Sequence, residues 1–183
     1  MTERIVWIDL EMTGLKPEKD TILETACIIT DKYLNIIAEQ GAQFIHHDQS
    51  LFKTMDPWCQ KQHTKSGLWQ EVVKSKTSLK EAEENLLSFI KQHVKRNSYM
   101  AGNSIWQDRR FIINYMPNLD EYLHYRMIDV TSVKILKDFW HPAIRLSKKE
   151  SHRALDDIKE SITELKYYME TVFDIGHEKL FSK

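Results

Sequence analysis

The stretch Arg4 to Leu15, R-I-V-W-I-D-L-E-M-T-G-L, constrains this chain more than any other. Ile5 to Ile8 are apolar and rich in β-branched side chains, which reads as a strand buried on both faces, and the run ends in Asp9 and Glu11 before a Thr-Gly break. Side chains two apart on a strand share a face, so the two carboxylates point the same way about 7 Å apart. Like charges held that close repel, and one is driven to protonate unless a cation lies between them. The cation suited to oxygen ligands is a divalent metal, Mg²⁺ or Mn²⁺. The plain alternative is two solvated carboxylates at a strand end, and the rest of the chain decides whether further ligands exist.

At 183 residues, with no Pro/Gly/Ser-rich linker or charge block, the chain is expected to form a single domain over residues 1–183. Its 26 basic and 27 acidic residues nearly cancel, so no bulk positive field holds a long nucleic acid. A nucleic-acid substrate would have to be short or gripped by a local patch. The N-terminus runs straight into a strand, no apolar run approaches the roughly 18 residues of a membrane span, and Cys27 and Cys59 are isolated. The expectation is a soluble cytoplasmic protein with reduced thiols and no membrane partner.

Thr21–Thr30 and the apolar positions from Tyr33 to Ile45 read as two more strands joined by a turn at Asp31-Lys32, giving three antiparallel strands in succession. Asp56-Pro57 opens a helix that Gly67 can stop. Trp58 and His63 lie in it, and on the residues alone they read as a packing aromatic and a surface polar group. From Ser78, with Glu81 three residues on, Leu79, Ala82, Leu86, Phe89, Ile90 and Val94 mark one face of a covering helix. A short strand, Tyr99–Ala101, leads through Gly102-Asn103-Ser104 into a helix from Ile105 to Met116. Such a turn presents backbone N–H groups that suit a phosphate, although Ser104 also reads as a simple N-cap. On that helix Asp108 falls about 60° from the centre of the apolar stripe, on its inward margin, where it needs a metal or a partner such as Arg109 or Arg110. Tyr125–Val130 reads as a further strand, followed by a helix with apolar Val133, Leu136 and Phe139. The last helix runs from Arg153 to about Phe173 on a stripe of Leu155, Ile158, Ile162, Leu165, Met169 and Val172. Asp156 lies about 160° from that stripe, in solvent, and Asp157 about 100° away at its border, which makes Asp157 the ligand candidate. His152 precedes the helix and is expected either to point back over the same site or to be solvated.

Four carboxylates from one strand and two helices, with one histidine, form an ordered set: Asp9-Leu10-Glu11, Asp108, then His152 with Asp157. That order resembles the DEDDh 3′–5′ exonucleases. W-I-D-L-E-M-T-G-L (Trp7–Leu15), G-N-S-I-W-Q-D-R-R-F (Gly102–Phe111), H-Y-R-M-I-D-V (His124–Val130) and H-R-A-L-D-D-I (His152–Ile158) resemble the oligoribonuclease family within them. The resemblance spans nearly the whole chain. It implies an α/β, ribonuclease H-like fold: a mixed sheet of three antiparallel strands plus parallel strands, flanked by helices. It implies two divalent ions, Mg²⁺ or Mn²⁺, about 4 Å apart, held by Asp9, Glu11 and Asp157, with Asp108 bound directly or through water. His152 would take the proton of the attacking water, and short RNA oligonucleotides, down to dinucleotides, would be cut to 5′ mononucleotides. By the same resemblance Leu15 wedges between bases and Trp58 lines the 3′-base pocket. Ser104, Arg126, Thr131 and Ser132 cap the 5′ phosphate. His63 and Tyr125 stand near a pocket completed by a homodimer, Tyr125 coming from the partner chain. Trp106 replaces a usual small residue, which bears on the floor of the site, and Thr131 replaces a usual serine.

Rival readings are a sister DEDDh exonuclease for DNA or longer RNA, a haloacid-dehalogenase-like phosphatase, and a non-enzymatic nucleic-acid-binding adaptor. The near-neutral charge and a 5′-phosphate cap speak against long strands. A phosphatase of that kind has no use for Asp108 or the His152–Asp157 pair, and an adaptor with a decayed site would be expected to have lost a ligand.

Overall fold

The computed structural model describes residues 3–143 and 153–173; His152 and the basic loop before it lie outside them. Among the described residues five strands form one mixed sheet in the order β3-β2-β1-β4-β5. β1 (Arg4–Met12) pairs antiparallel with β2 (Ile22–Asp31), which pairs antiparallel with β3 (Ile36–Phe44). On its other side β1 runs parallel to the three-residue β4 (Met100–Gly102), and β4 parallel to β5 (Met127–Asp129). The expected ribonuclease H-like mixed sheet is therefore present.

Alternation along β1 builds both cores. Val6, Ile8 and Leu10 pack with α3 (Leu79–His93), α4 (Trp106–Tyr115) and α5 (Pro117–Tyr122). Trp7, with Ala26 and Ile28 of β2, packs on the other face under α7 (Ala154–Thr171) and the start of α6 (Val130–Trp140). A two-residue period places Asp9 and Glu11 on the Trp7 face, toward α7. The helix that Asp56 caps is α1 (Pro57–Lys65), and Gly67, at φ 75°, turns the chain directly into α2 (Leu68–Lys74).

Several boundaries differ from the sequence reading. β1 runs through Met12, as the shared face of the two carboxylates requires, so Asp9 and Glu11 sit inside the strand rather than at its very end, opposite Ala26 and Glu24. The turn after β2 is longer than Asp31-Lys32, because the Asp31 carboxylate accepts from the amides of Tyr33 and Asn35 and buried Leu34 takes a left-handed φ of 66°. Tyr33 thereby leaves the strand. Tyr125 and Arg126 precede β5 rather than belonging to it. In α6 the expected stripe is split: Val133 packs on the core beneath α7, Leu136 and Phe139 are exposed, and Val130 and Lys137 are buried. Apolar residues occur on both sides of that helix, and its contacts with α7 and β4 select the inner one.

Candidate active site

Strands β1, β4 and β5 are parallel, so their C-terminal ends share one edge of the sheet, the place where open α/β sheets bind ligands. Met12 and the loop after it, Asn103-Ser104, and Val130-Thr131 all follow that edge. α7 crosses the Trp7 face with Asp157 in its first turn, where the helix dipole favours a carboxylate. One oxygen each of Asp9, Glu11 and Asp157 lies within 4.8 Å of the others. Burial, then Asp108, Glu11 and Asp157, push the Asp9 carboxyl well above the usual carboxylate range. Burial, then Asp157 and Glu24, push Glu11 up to about 8. Such a group stays mostly protonated at neutral pH unless a cation lies among the oxygens, and a hard divalent ion fits an all-carboxylate donor set.

Asp108 stands beside this trio rather than in it. β4 pairs with β1 only at Val6 and Trp7, leaving the strand edge beyond open, and Asp108 Oδ1 accepts there from the Leu10 amide at 3.0 Å. Burial drives its pKa up to about 7 against that hydrogen bond. The neighbouring arginines turn away: Arg109 bonds Asp120 at 2.6 Å, and Arg110 lies over the Trp106 ring. Trp106 itself is 52% exposed and does not floor the site.

Glu24 and Arg153 escaped the sequence reading. Glu24 is fully buried opposite Glu11, and the Arg153 guanidinium, at the N-cap of α7, reaches its Oε2 at 3.2 Å and the Ser66 carbonyl at 3.4 Å. This ion pair ties the start of α7, and so Asp157, to β2. The signal was one acid inside the apolar run I-L-E-T-A-C-I-I.

His63 is not a surface residue. It is 1% exposed; Nε2 donates to the Met12 carbonyl at 2.8 Å and Nδ1 lies 3.8 Å from Glu11 Oε2. The Asp56 amide donates to the Thr13 carbonyl, which brings the first turn of α1, with Trp58, beside the end of β1. Trp58 and Leu15 are 58% and 64% exposed, so neither is core packing.

Ser104 is not an N-cap. Ile105 holds that position without a side-chain bond, while Ser104 takes a left-handed φ of 50° and its amide donates to Asp129 Oδ1 and Thr131 Oγ1, both at 2.9 Å. That amide is therefore occupied, and the Ser104 and Thr131 hydroxyls, 3.1 Å apart, are what this turn presents. Gly102 permits the turn, since a Cβ there would meet Ile105 at 2.9 Å and the Ile8 carbonyl at 3.1 Å. Ser132 and Arg126 are exposed, and the Arg126 guanidinium lies over the ring of Tyr125, itself 70% exposed.

A mixed sheet with desolvated carboxylates gathered at the ends of its parallel strands defines a metal-dependent nuclease, and the exonuclease family model (RNase_T) matches residues 6–165. In fold the chain is similar to Escherichia coli exonuclease I in its complex with single-stranded DNA, with a TM-score of 0.73 at 16% identity over 94% of this chain and 41% of that one. This chain thus spans less than half of exonuclease I. The oligoribonuclease of Francisella tularensis is 50% identical over 94% of this chain and 98% of its own, and that of Marinobacter nauticus 48% over the same shares. The chain belongs to the oligoribonuclease family of DEDDh 3′–5′ exonucleases.

Proposed function

We infer that this chain, a metal-dependent 3′–5′ exoribonuclease of short oligoribonucleotides, carries the reaction down to dinucleotides with Asp9, Glu11, Asp157 and Asp108 holding two divalent ions, Mg²⁺ or Mn²⁺. The observation that carries this reading is the trio of half-buried carboxylates whose oxygens converge within 4.8 Å. When bound, the ions acidify the attacking water and offset the negative charge that develops on the phosphoryl and leaving oxygens. Asp108, fixed to the Leu10 amide, contributes directly or through water. His152 accepts the proton of the water as its oxygen bonds to phosphorus. The bond from phosphorus to the 3′ oxygen breaks, and that oxygen leaves with a proton, releasing a 5′ mononucleotide. No side chain becomes covalently attached.

Leu15 and Trp58 would hold the bases, their exposed apolar surfaces giving stacking and wedge contacts. Ser104, Thr131, Ser132 and Arg126 would close the far end on the 5′ phosphate. His63, being buried, would act on the pocket through Glu11 and the Met12 carbonyl. A second copy of the chain would cover the exposed Ile135, Leu136, Phe139 and Trp140 of α6 and bring its Tyr125 into this site. One catalytic domain working in the cytoplasm completes the reading; among the described residues no helix is long and apolar enough to cross a membrane.

Mononucleotide release from a labelled RNA dinucleotide and from a seven-residue chain, with Mg²⁺ and with chelator, tests this. Rapid metal-dependent cleavage of the dinucleotide is expected. Cleavage of only the longer chain, or cleavage indifferent to chelator, would overturn it.

A further inference from the structure

The loop after β1 carries Leu15, and α4 holds it entirely by its backbone. Gln107 Nε2 donates to the Leu15 carbonyl at 2.8 Å, and Arg110 Nη1 donates to the same oxygen at 3.3 Å. Arg110 Nη1 also bonds Gln107 Oε1 at 3.0 Å, so the two side chains brace each other. Farther along the helix, Asn114 Nδ2 and the Tyr115 hydroxyl donate to the Pro17 carbonyl at 2.8 and 2.9 Å. Positions 107, 110 and 114 are three and four apart, hence one stripe of α4. Within the loop, a Cβ at Gly14 would lie 2.5 Å from the Asp20 carboxylate, so glycine lets that carboxylate reach the Thr13 hydroxyl and the Lys16 amide. Every one of these contacts leaves the Leu15 side chain free.

The same helix carries Asp108, between Gln107 and Arg110 in sequence but turned inward onto the Leu10 amide. One rigid element therefore touches both the carboxylate site and the backbone of the residue read as the base wedge. The Trp106 ring lies 5.7 Å from the Arg110 guanidinium, a cation–π contact that holds that arginine.

We propose that Gln107 and Arg110 are positioning residues for Leu15, setting the bases of a short substrate at a fixed distance from the carboxylates, with Trp106 keeping Arg110 in place. This rests on the reading of Leu15 as a base contact. A substrate of two nucleotides offers few contacts, so an apolar side chain on a wandering loop would lose much of its binding to ordering entropy. Two donors on one carbonyl remove that freedom in advance. Near the reacting phosphate, misplacement by an ångström is costly, so the relation between wedge and ligands needs a stiff link.

The test is a mutant cycle read by calorimetric binding of a 5′-phosphorylated RNA dinucleotide in Ca²⁺, with melting temperatures and with KM and kcat in Mg²⁺ measured alongside. Leu15→Ala is expected to weaken binding about tenfold. The pair Gln107→Ala with Arg110→Ala should weaken it severalfold, mainly in KM, with an unchanged melting temperature, and should add nothing in the Leu15→Ala background. Arg110→Lys should recover part of the loss, and Trp106→Ala should show a smaller loss of the same kind. If the pair has the same effect with and without Leu15, or none beside a weakened Leu15→Ala, the positioning role is overturned while the wedge stands. A melting temperature that falls in step with affinity overturns it as well. If Leu15→Ala binds normally, the wedge reading fails and takes this inference with it.

Discussion

Replacing Glu11 by glutamine keeps its shape and removes its charge, and the structure fixes how the consequence must vary with pH. In the metal-free protein Glu11 titrates near 8 rather than at its ordinary 4.5, chiefly through burial and then through Asp157 and Glu24. Between those values the folded chain keeps a proton that the unfolded chain has given up, so stability falls as pH rises. The stabilisation is complete below 4.5 and lost upward toward 8, at about 1.4 kcal/mol per pH unit for one proton. From pH 5.5 to 7.5 that is about 2.7 kcal/mol by the same rule, and glutamine is exempt from it. Asp9 and Asp108 remain in both proteins, and Asp9 is itself relieved when Glu11 is neutral, which moves the difference the same way. Chemical denaturation in chelator at pH 5.5, 6.5 and 7.5 should show Glu11→Gln gaining on the wild type by about 2–3 kcal/mol across the range. Adding Mn²⁺ at pH 7.5 should reverse the order, because only the wild type gains binding energy. A stability difference that is flat in pH, or that shrinks as pH rises, would refute the claim that the carboxylates are crowded and desolvated.

Asp157→Asn should abolish hydrolysis while Asp156→Asn, exposed one residue earlier, should remain within a few-fold of wild type in turnover; the reverse would show that α7 is out of register. His152→Ala should lose a factor of about 10² in kcat yet still bind Mn²⁺, and the wild-type rate should fall in acid on an apparent pKa of about 6 to 7. A variant with full rate throughout that range would send the proton elsewhere. Arg126→Ala, or removal of the 5′ phosphate, should weaken a dinucleotide by about 1.5–3 kcal/mol in Ca²⁺ titrations. With two phosphates neutralised, log K should fall against log salt with a slope near about −1.4, and a slope steeper than about −4 would indicate a long-strand substrate.

How much of this was legible in advance differs by residue. The period of two in β1 put Asp9 and Glu11 on one face, and the period of 3.6 in α7 separated Asp157 from Asp156; both follow from local geometry alone, and the family's motifs follow from residue order. The capping box of α3 was equally local. What sequence could not supply was the partner of each face. Nothing local says that Glu11 faces another acid, because Glu24 is set opposite it only by the pairing of β1 with β2, a turn away. Nothing local says that the outer side of α6 carries Leu136 and Phe139, because that is settled by where α7 lies. His63 reads as polar and solvated until α1 folds against Met12, and Glu24 reads as a lone acid until Arg153, 129 residues on, arrives at its carboxylate. The sequence determined which residues carry charge and which faces of each element they share. The tertiary structure decided which of those charges are stripped of water together, and that desolvation is what turns a set of carboxylates into a cation site.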